Sequence, residues 1–167
     1  MLKGRAHKFG DNISTDHIQP GRYNYLRSNL PALANHTLED VDPGFLGRVR
    51  AGDFIVAGTN FGMGSSREHA ALIIRLAGVG AVLAKSVARI FFRNAINVGL
   101  PVLVCDTDRI SDGDELEIDL AAGVVADRRS GARITFAGMP AVMIDILNEG
   151  GLVPYIKRRG DFDCTGA

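Results

Sequence analysis

Apolar and polar positions follow a regular pattern from Asp53 onward. Short apolar runs of strand length alternate with longer segments whose apolar residues recur at helical spacing. The predicted strands are FIVAG, GAVLAKS and PVLVC, and the predicted helices between them are SSREHAALIIRLAG and VARIFFRNAINVG. We expect Leu72, Ile73 and Leu76 on one face of the first helix, with Gly78 beyond its end. This β-α-β-α-β order predicts a small parallel sheet with crossover helices.

Shorter alternating segments follow Asp106. Antiparallel strands joined by tight turns are predicted at ELEIDL, VVADR and ARITF. A helix is expected from about Pro140 to Asn148, before a basic end, YIKRRG. The first third is instead rich in Asp, Asn, Pro and Gly, which favours turns and short strands. The predicted fold class is α/β with a mixed, partly parallel sheet, in a single domain over residues 1–167.

Composition and charge narrow the possible functions. The chain has 167 residues, of which 46% are hydrophobic and 23% charged, as in ordinary globular proteins. Nineteen basic residues balance nineteen acidic ones, which argues against nucleic acid or an anionic membrane as the main partner. The start, MLKGRAHKFGDN, lacks the apolar region of a secretion signal, and no stretch has the length of a membrane helix. We therefore expect a cytoplasmic protein.

The two cysteines offer no metal site by themselves. Cys105 and Cys164 lie far apart and have no CxxC or Cys/His spacing. Unpaired thiols in a reducing compartment are the expected state. An iron–sulfur cluster needs three or four thiolates, so this chain alone is not expected to hold one.

The segment GTNFGMGSSREHAA, residues 58–71, concentrates glycine, hydroxyl and charge before a predicted helix. Gly62 and Gly64 permit positive φ and close backbone approach. Free N–H groups from Ser65 onward favour negative charge at the helix start, and the Arg67 fork matches a carboxylate. The plain alternative is a helix cap, with Ser65 or Ser66 as the N-cap and Glu68 in the first turn.

Known phosphate and nucleophile motifs do not explain this segment. A Walker loop needs a lysine after Gly64, and the dinucleotide fingerprint needs a glycine where Arg67 stands. The nucleophile elbow GxSxG is absent. A different kind of anion site therefore has to be considered.

Three long segments resemble the swivel domain of the aconitase superfamily: GTNFGMGSSREHAA, GDNISTDHIQPG and SVARIFFRNAINVGLPV. A free-standing swivel domain of this length is similar to the small subunit of 3-isopropylmalate dehydratase or homoaconitase. The resemblance covers the chain from about Phe9 to Tyr155. It implies a β/β/α swivel fold, and a hydro-lyase that dehydrates a hydroxy acid and rehydrates it on the neighbouring carbon.

The resemblance also implies roles for individual residues. Ser65 matches the serine that acts as base, which requires its alkoxide to be stabilised by nearby N–H groups. Ser66 is expected to donate to a substrate carboxylate, and Arg67 to clamp it. Asp16, in STDHI, is expected to orient an arginine or a histidine, with an Asx-turn as the structural alternative. His17 and His69 are expected to be structural.

Family members hold a 4Fe–4S cluster with three cysteines, and its open iron acts as a Lewis acid. The two cysteines of this chain do not fit that set. The resemblance therefore implies that the cluster belongs to a separate large subunit, and that this chain is inactive alone. The expected partners are that subunit and a small hydroxy-carboxylate.

Arg27, in YLRS, is the residue that bears on which substrate the enzyme binds. In the family, the loop after the first motif reaches the variable part of the substrate. An arginine there suits a third carboxylate, as in homocitrate, or another more polar substrate such as that of 2,3-dimethylmalate dehydratase. Frequency in the family favours 3-isopropylmalate and leucine biosynthesis, which we keep first.

An RNA-binding or scaffold role is the non-enzymatic alternative. We expect residues 22–44 to be mobile, because little there looks able to bury itself.

Overall fold

A seven-stranded mixed sheet organises residues 1–160, the part of the chain that the computed structural model describes. In space the strands lie in the order β4-β3-β2-β1-β5-β6-β7, with β1 to β4 parallel and β5 to β7 antiparallel. Their bounds are β1 Leu2–Lys8, β2 Phe54–Ala57, β3 Ala81–Ala84, β4 Val102–Val104, β5 Glu115–Asp119, β6 Val124–Asp127 and β7 Arg133–Thr135. The α/β class with a mixed sheet is confirmed.

The central strand β1 was not predicted. It pairs with β2 in parallel at Ala6 and Phe54, and with β5 in antiparallel at Leu2 and Ile118. A Cβ on Gly4 would lie 2.2 Å from the carbonyl oxygen of Gly52, so glycine is needed for this close approach. The charged residues of LKGRAHK hide a period-two pattern that could have revealed the strand.

Seven α-helices flank the sheet within residues 1–160. They are α1 Thr15–Ile18, α2 Leu30–Ala34, α3 Phe45–Arg48, α4 Glu68–Leu76, α5 Arg89–Asn97, α6 Ala141–Asn148 and α7 Leu152–Arg159. The prediction for the buried face of α4 is partly wrong. Ala70, Ala71, Ile73 and Ile74 are buried, whereas Leu76 is 49% exposed. The basic end also proves to be helical in α7.

Residues 22–44 contain more buried structure than expected. A 3₁₀ helix covers Gly21–Leu26, and Leu33 and Leu38 are fully buried next to it. Tyr23 stacks on His36 with ring centroids 3.6 Å apart. The expectation that little in this segment can bury itself is therefore wrong.

Buried residues lie on both faces of the sheet. One cluster joins the sheet to α4 and α5, and includes Phe61 and Phe91. A second cluster lies under β5 to β7 and includes Phe54 and Ile118. No helix of residues 1–160 has the length and apolar character needed to cross a bilayer. The chain segments that leave the carboxyl ends of β1 and β2 meet beside the first cluster, and they build the candidate site.

Candidate active site

Two loops pair along their backbones to form the site. We call residues 11–20 the first-motif loop and residues 58–67 the glycine–serine loop. The Thr15 N–H donates to the Met63 carbonyl at 2.8 Å, and the Gly62 N–H donates to the Ile13 carbonyl at 2.7 Å. The Asp11 carboxylate accepts the Thr59 N–H at 2.6 Å, which lowers the pKa of that carboxyl. The two motifs that are separate in sequence are thus one structural unit.

Glycines give the glycine–serine loop its path. Gly62 has φ +75 and Gly64 has φ +106, a region that other residues rarely adopt. A Cβ on Gly62 would lie 2.3 Å from Cγ of Phe91. The close packing of Gly62 on Phe91 therefore helps to fix the positions of Ser65 and Ser66, which follow it.

The two serines do not cap the next helix. Helix α4 begins at Glu68, with Arg67 as its N-cap and no side-chain cap bond. The capping alternative for Ser65 and Ser66 is wrong, because both serines lie before the cap in an exposed stretch. Within residues 1–160 their N–H groups donate to no acceptor. This leaves backbone donors and two hydroxyls available to an anion.

Ser65 contacts one side chain of the first-motif loop. Its Oγ lies 3.4 Å from Oγ1 of Thr15, and either hydroxyl can donate. Thr15 is 2% exposed, and its position is fixed by its N–H bond to Met63. The Thr15 hydroxyl was not recognised from the sequence, since a threonine inside a short helix carries no distinctive pattern.

Arg67 and Asp16 meet across the two loops. Nη1 of Arg67 lies 2.5 Å from Oδ1 of Asp16, and it also donates to the Gln19 carbonyl at 3.1 Å. The Arg67 side chain is 19% exposed and that of Asp16 is 63% exposed. The Asp16 carboxylate accepts no backbone N–H from residues 1–160, so the structure gives it an arginine in place of an Asx-turn. Their part in substrate binding stays a prediction.

Arg27 is not part of the Arg67–Asp16 pair. It is exposed at the end of the 3₁₀ helix, and its Nη2 donates to Oδ1 of Asn24 at 3.2 Å. The same Oδ1 accepts from Nε2 of Gln19 at 3.2 Å. Gln19 and Asn24 thus connect Arg27 to Arg67. Neither amide was identified from the sequence, because their importance comes from contacts between separate turns.

The histidine of STDHI has a structural role. Nδ1 of His17 accepts the Ser14 N–H at 3.1 Å, and the His17 N–H donates to Oγ of Ser14 at 3.1 Å. This reciprocal capping box begins α1. The expectation for His17 is confirmed.

A large open cleft of about 770 Å³ lies away from these loops, at the amino end of β2. At its base, Nε2 of His7 lies 2.9 Å from Oδ2 of Asp53. Burial raises the pKa of the Asp53 carboxyl, but hydrogen bonds from His7 and from the N–H groups of Arg5 and Arg50 outweigh it, so the pKa is lowered overall. The cleft walls carry charges of both signs, including Arg48 and Glu117, and the Asp53 carboxylate is already engaged in three hydrogen bonds, with His7 and with the N–H groups of Arg5 and Arg50. The cleft is therefore not the candidate site.

Metal-binding side chains do not gather within residues 1–160. No group of three His, Cys, Asp or Glu residues in this range could hold an ion. Cys105 is buried and unpaired, and desolvation together with nearby Asp106 raises its pKa to about 11. Cys164 lies outside the described residues. The thiol that is described does not fit a cluster ligand set.

Comparisons with known proteins identify relatives of this chain. Residues 34–107 match the family described as the aconitase C-terminal domain. The chain is 65% identical to 3-isopropylmalate dehydratase small subunit 2 of Archaeoglobus fulgidus, over 96% of this chain and 97% of that protein. It is 57% identical to the corresponding small subunit 1 of Thermotoga maritima, over 97% and 98% of the two chains.

A solved structure supports the same assignment. The crystal structure of 3-isopropylmalate dehydratase from Methanocaldococcus jannaschii superposes with a TM-score of 0.89 at 48% identity, over 95% of each chain. Identity at this level over nearly the whole length shows the family as well as the fold. This chain belongs to the family of 3-isopropylmalate dehydratase small subunits, within the aconitase superfamily.

Proposed function

We propose that this chain is the small subunit of a 3-isopropylmalate dehydratase of leucine biosynthesis. In that role it helps to remove water from a hydroxy acid and to add it back on the neighbouring carbon. The observation that carries the proposal is the pairing of the glycine–serine loop with the first-motif loop, which brings Ser65 and Arg67 to one exposed surface. Family membership supplies the reaction class.

Ser65 is the proposed base. Removal of a proton beside a carboxylate needs a strong base, and a serine serves only if its alkoxide is stabilised. The N–H groups of Ser65 and Ser66, ahead of the α4 N-terminus, have no acceptor among residues 1–160 and favour that negative charge. Thr15 at 3.4 Å can donate to the same oxygen. These contacts support the role of base.

Arg67 and Ser66 are the proposed carboxylate ligands. Asp16 and the Gln19 carbonyl both hold Nη1 of Arg67, which fixes the plane of the guanidinium. Nη2 donates to no group within residues 1–160 and is free to meet a carboxylate. Ser66 adds an exposed hydroxyl one residue away. Asp16 acts in this scheme by positioning Arg67.

The remaining chemistry is proposed to come from a large subunit. Departure of hydroxide needs an electrophile, and no described side-chain group here supplies a metal site. The family resemblance assigns a 4Fe–4S cluster to the partner chain. The exposed loops with Ser65 and Arg67 are then part of the contact surface. This chain alone is expected to have no activity.

Arg27 supports a second candidate substrate, homocitrate or another acid with an extra polar group. Its guanidinium is held by Asn24 on the same surface as Arg67, through the link at Gln19. If substrate and large subunit cover this exposed guanidinium in the assembled site, an isopropyl group would leave its charge without a partner, whereas a third carboxylate would pair with it. The names of the relatives favour isopropylmalate.

The test is anaerobic capture of the partner with this chain as bait, followed by turnover assays with isopropylmalate and homocitrate side by side. An iron–sulfur partner and preferential turnover of isopropylmalate support the first proposal. Preference for homocitrate supports the second, and Arg27→Leu should then shift the preference back. Absence of an iron–sulfur partner and of turnover contradicts both.

A further inference from the structure

The Asn24 side chain has a defined orientation. Its Oδ1 accepts from Nε2 of Gln19 and from Nη2 of Arg27, each at 3.2 Å. An arginine can only donate, so the atom that faces Arg27 must be the amide oxygen. The amide nitrogen therefore points the other way, and within residues 1–160 it donates to no group.

The absence of a side chain at exposed Gly21 leaves room beside this nitrogen. A Cβ on Gly21 would lie 3.9 Å from Nη2 of Arg67, 3.9 Å from Oδ1 of Asp16 and 4.0 Å from Nδ2 of Asn24. Asp16 is already paired with Nη1 of Arg67, so its charge is balanced. Two unused donors, on Arg67 and Asn24, thus border one exposed space at a glycine.

Gln19 gives a second observation that points to function. It is fully buried, and its Oε1 has no hydrogen-bond partner within residues 1–160. A buried acceptor without a partner costs stability, so an explanation other than stability is needed. The same side chain fixes Oδ1 of Asn24, while its carbonyl fixes Nη1 of Arg67. Gln19 therefore sets the positions of both donors.

We propose that Asn24 is a further substrate-binding residue, whose amide nitrogen donates, together with Arg67, to a carboxylate held above Gly21. Gln19 is the positioning residue for this pair of donors. The proposal rests on the proposed function, because it concerns the carboxylate substrate of the same site. It adds a second recognition element that does not depend on which of the two acids is the substrate.

Two variants test this with little effect on the fold. Asn24→Asp keeps an acceptor for Gln19 and Arg27 but replaces the donor by a negative oxygen. Gly21→Ala places a methyl group in the space at ordinary contact distances of 3.9–4.0 Å. In the complex with the large subunit, each is expected to raise KM for the preferred substrate by about tenfold or more, with kcat changed less than about threefold.

Asn35→Asp is the matched control, because Asn35 is an exposed asparagine at the end of α2 whose side chain makes no bond within residues 1–160. Its KM should equal that of the wild type. Unchanged KM in both Asn24→Asp and Gly21→Ala, or a fall in kcat alone, overturns the proposal while the wild-type complex remains active. An inactive wild-type complex instead refutes the proposed function, and this proposal with it.

Discussion

The Arg67 guanidinium and the Asp16 carboxylate join the glycine–serine loop to the first-motif loop, with Nη1 and Oδ1 2.5 Å apart. The Gln19 carbonyl holds the same Nη1 at 3.1 Å. Because one edge of the guanidinium is fixed by two acceptors, its other nitrogen is oriented before any substrate arrives. Such preorganisation reduces the entropy that binding has to overcome.

Asp16→Asn should weaken substrate binding more than it weakens the fold. The Asp16 side chain is 63% exposed, so its loss changes the free energy of unfolding little. Asparagine keeps an oxygen that can accept from Nη1 of Arg67 but removes the negative charge, so the guanidinium is held less firmly. We expect KM of the assembled enzyme to rise by about tenfold. Asp145→Asn removes the same charge from a similar pair with Arg159, at 3.1 Å, and is expected to leave KM unchanged. Equal KM values in the two variants would argue against the clamp.

Thr15→Val tests the hydroxyl next to Ser65. Valine keeps the shape of threonine and removes the only side-chain hydrogen bond that Thr15 makes within residues 1–160, the one to Ser65. If that hydroxyl stabilises the Ser65 alkoxide, kcat should fall by about tenfold while KM changes little.

Thr37→Val is the control for Thr15→Val. The Thr37 hydroxyl is buried and donates to the Ala34 carbonyl at 2.8 Å, in α2. Its removal is expected to cost about 1 kcal/mol of unfolding free energy, with kcat unchanged. Denaturant unfolding and steady-state kinetics on both variants separate the two effects. A normal kcat in Thr15→Val would remove Thr15 from the chemistry.

Gly62→Ala should be severely destabilising. The new Cβ would lie 2.3 Å from Cγ of buried Phe91, and the residue would keep φ +75. Backbone strain and overpacking together should cost roughly 3 kcal/mol or more. Gly131→Ala shares the backbone effect, at φ +73, but meets nothing within 4 Å. It should cost only about 1 kcal/mol. Similar unfolding free energies for the two variants would contradict the role of the Phe91 contact.

Acid should release the 3₁₀ helix that carries Asn24 and ends just before Arg27. Hydrogen bonds from His36 and Tyr23 lower the pKa of the Glu39 carboxyl, and a bond from Arg22 lowers that of Asp40. A lowered folded-state pKa means that the stabilisation is complete above the ordinary values of 4.5 and 3.8, and is lost as pH falls through the lower folded values.

Hydrogen exchange of residues 21–27 measures this release. Protection should be constant above about pH 5 and decline below about pH 4, after correction for the intrinsic exchange rate. Arg22→Gln removes the partner of Asp40 and should lower protection already at neutral pH. Protection that is independent of pH down to acid unfolding of the whole chain would show that these carboxylates do not hold the segment.

The sequence predicted β2 to β7 and the helices α4 to α6, because their apolar residues are nearly continuous, alternate, or recur at helical spacing. It did not predict the helix α7. It missed β1, which lies in the middle of the sheet but carries charged residues at every second position. It also placed Leu76 in the core, although burial of Ala70, Ile73 and Ile74 turns that position outward. Tertiary packing, rather than the hydrophobicity of the residues, determines both the position of β1 and the exposure of Leu76.

For the site, the motifs identified the serines and Arg67 but not the contacts between them. The hydrogen bond from Arg67 to the Gln19 carbonyl involves a backbone atom, so it cannot be predicted from residue types. The orientation of Asn24 depends on two donors from different turns. Helix-capping preferences favoured Ser65 or Ser66 as the N-cap of α4. The loop instead packs Gly62 against Phe91, and the helix begins at Glu68. Such relationships exist only after the two loops have paired.

The most direct test of the central claim is the turnover number of the assembled enzyme that carries Ser65→Ala. Ser65 is exposed, so the variant should fold and bind the large subunit normally. Loss of the base is expected to lower kcat by between about a hundredfold and ten-thousandfold. Ser111→Ala, at another exposed serine, should leave kcat unchanged. A kcat for Ser65→Ala close to that of the wild type would contradict the assignment of Ser65 as the base.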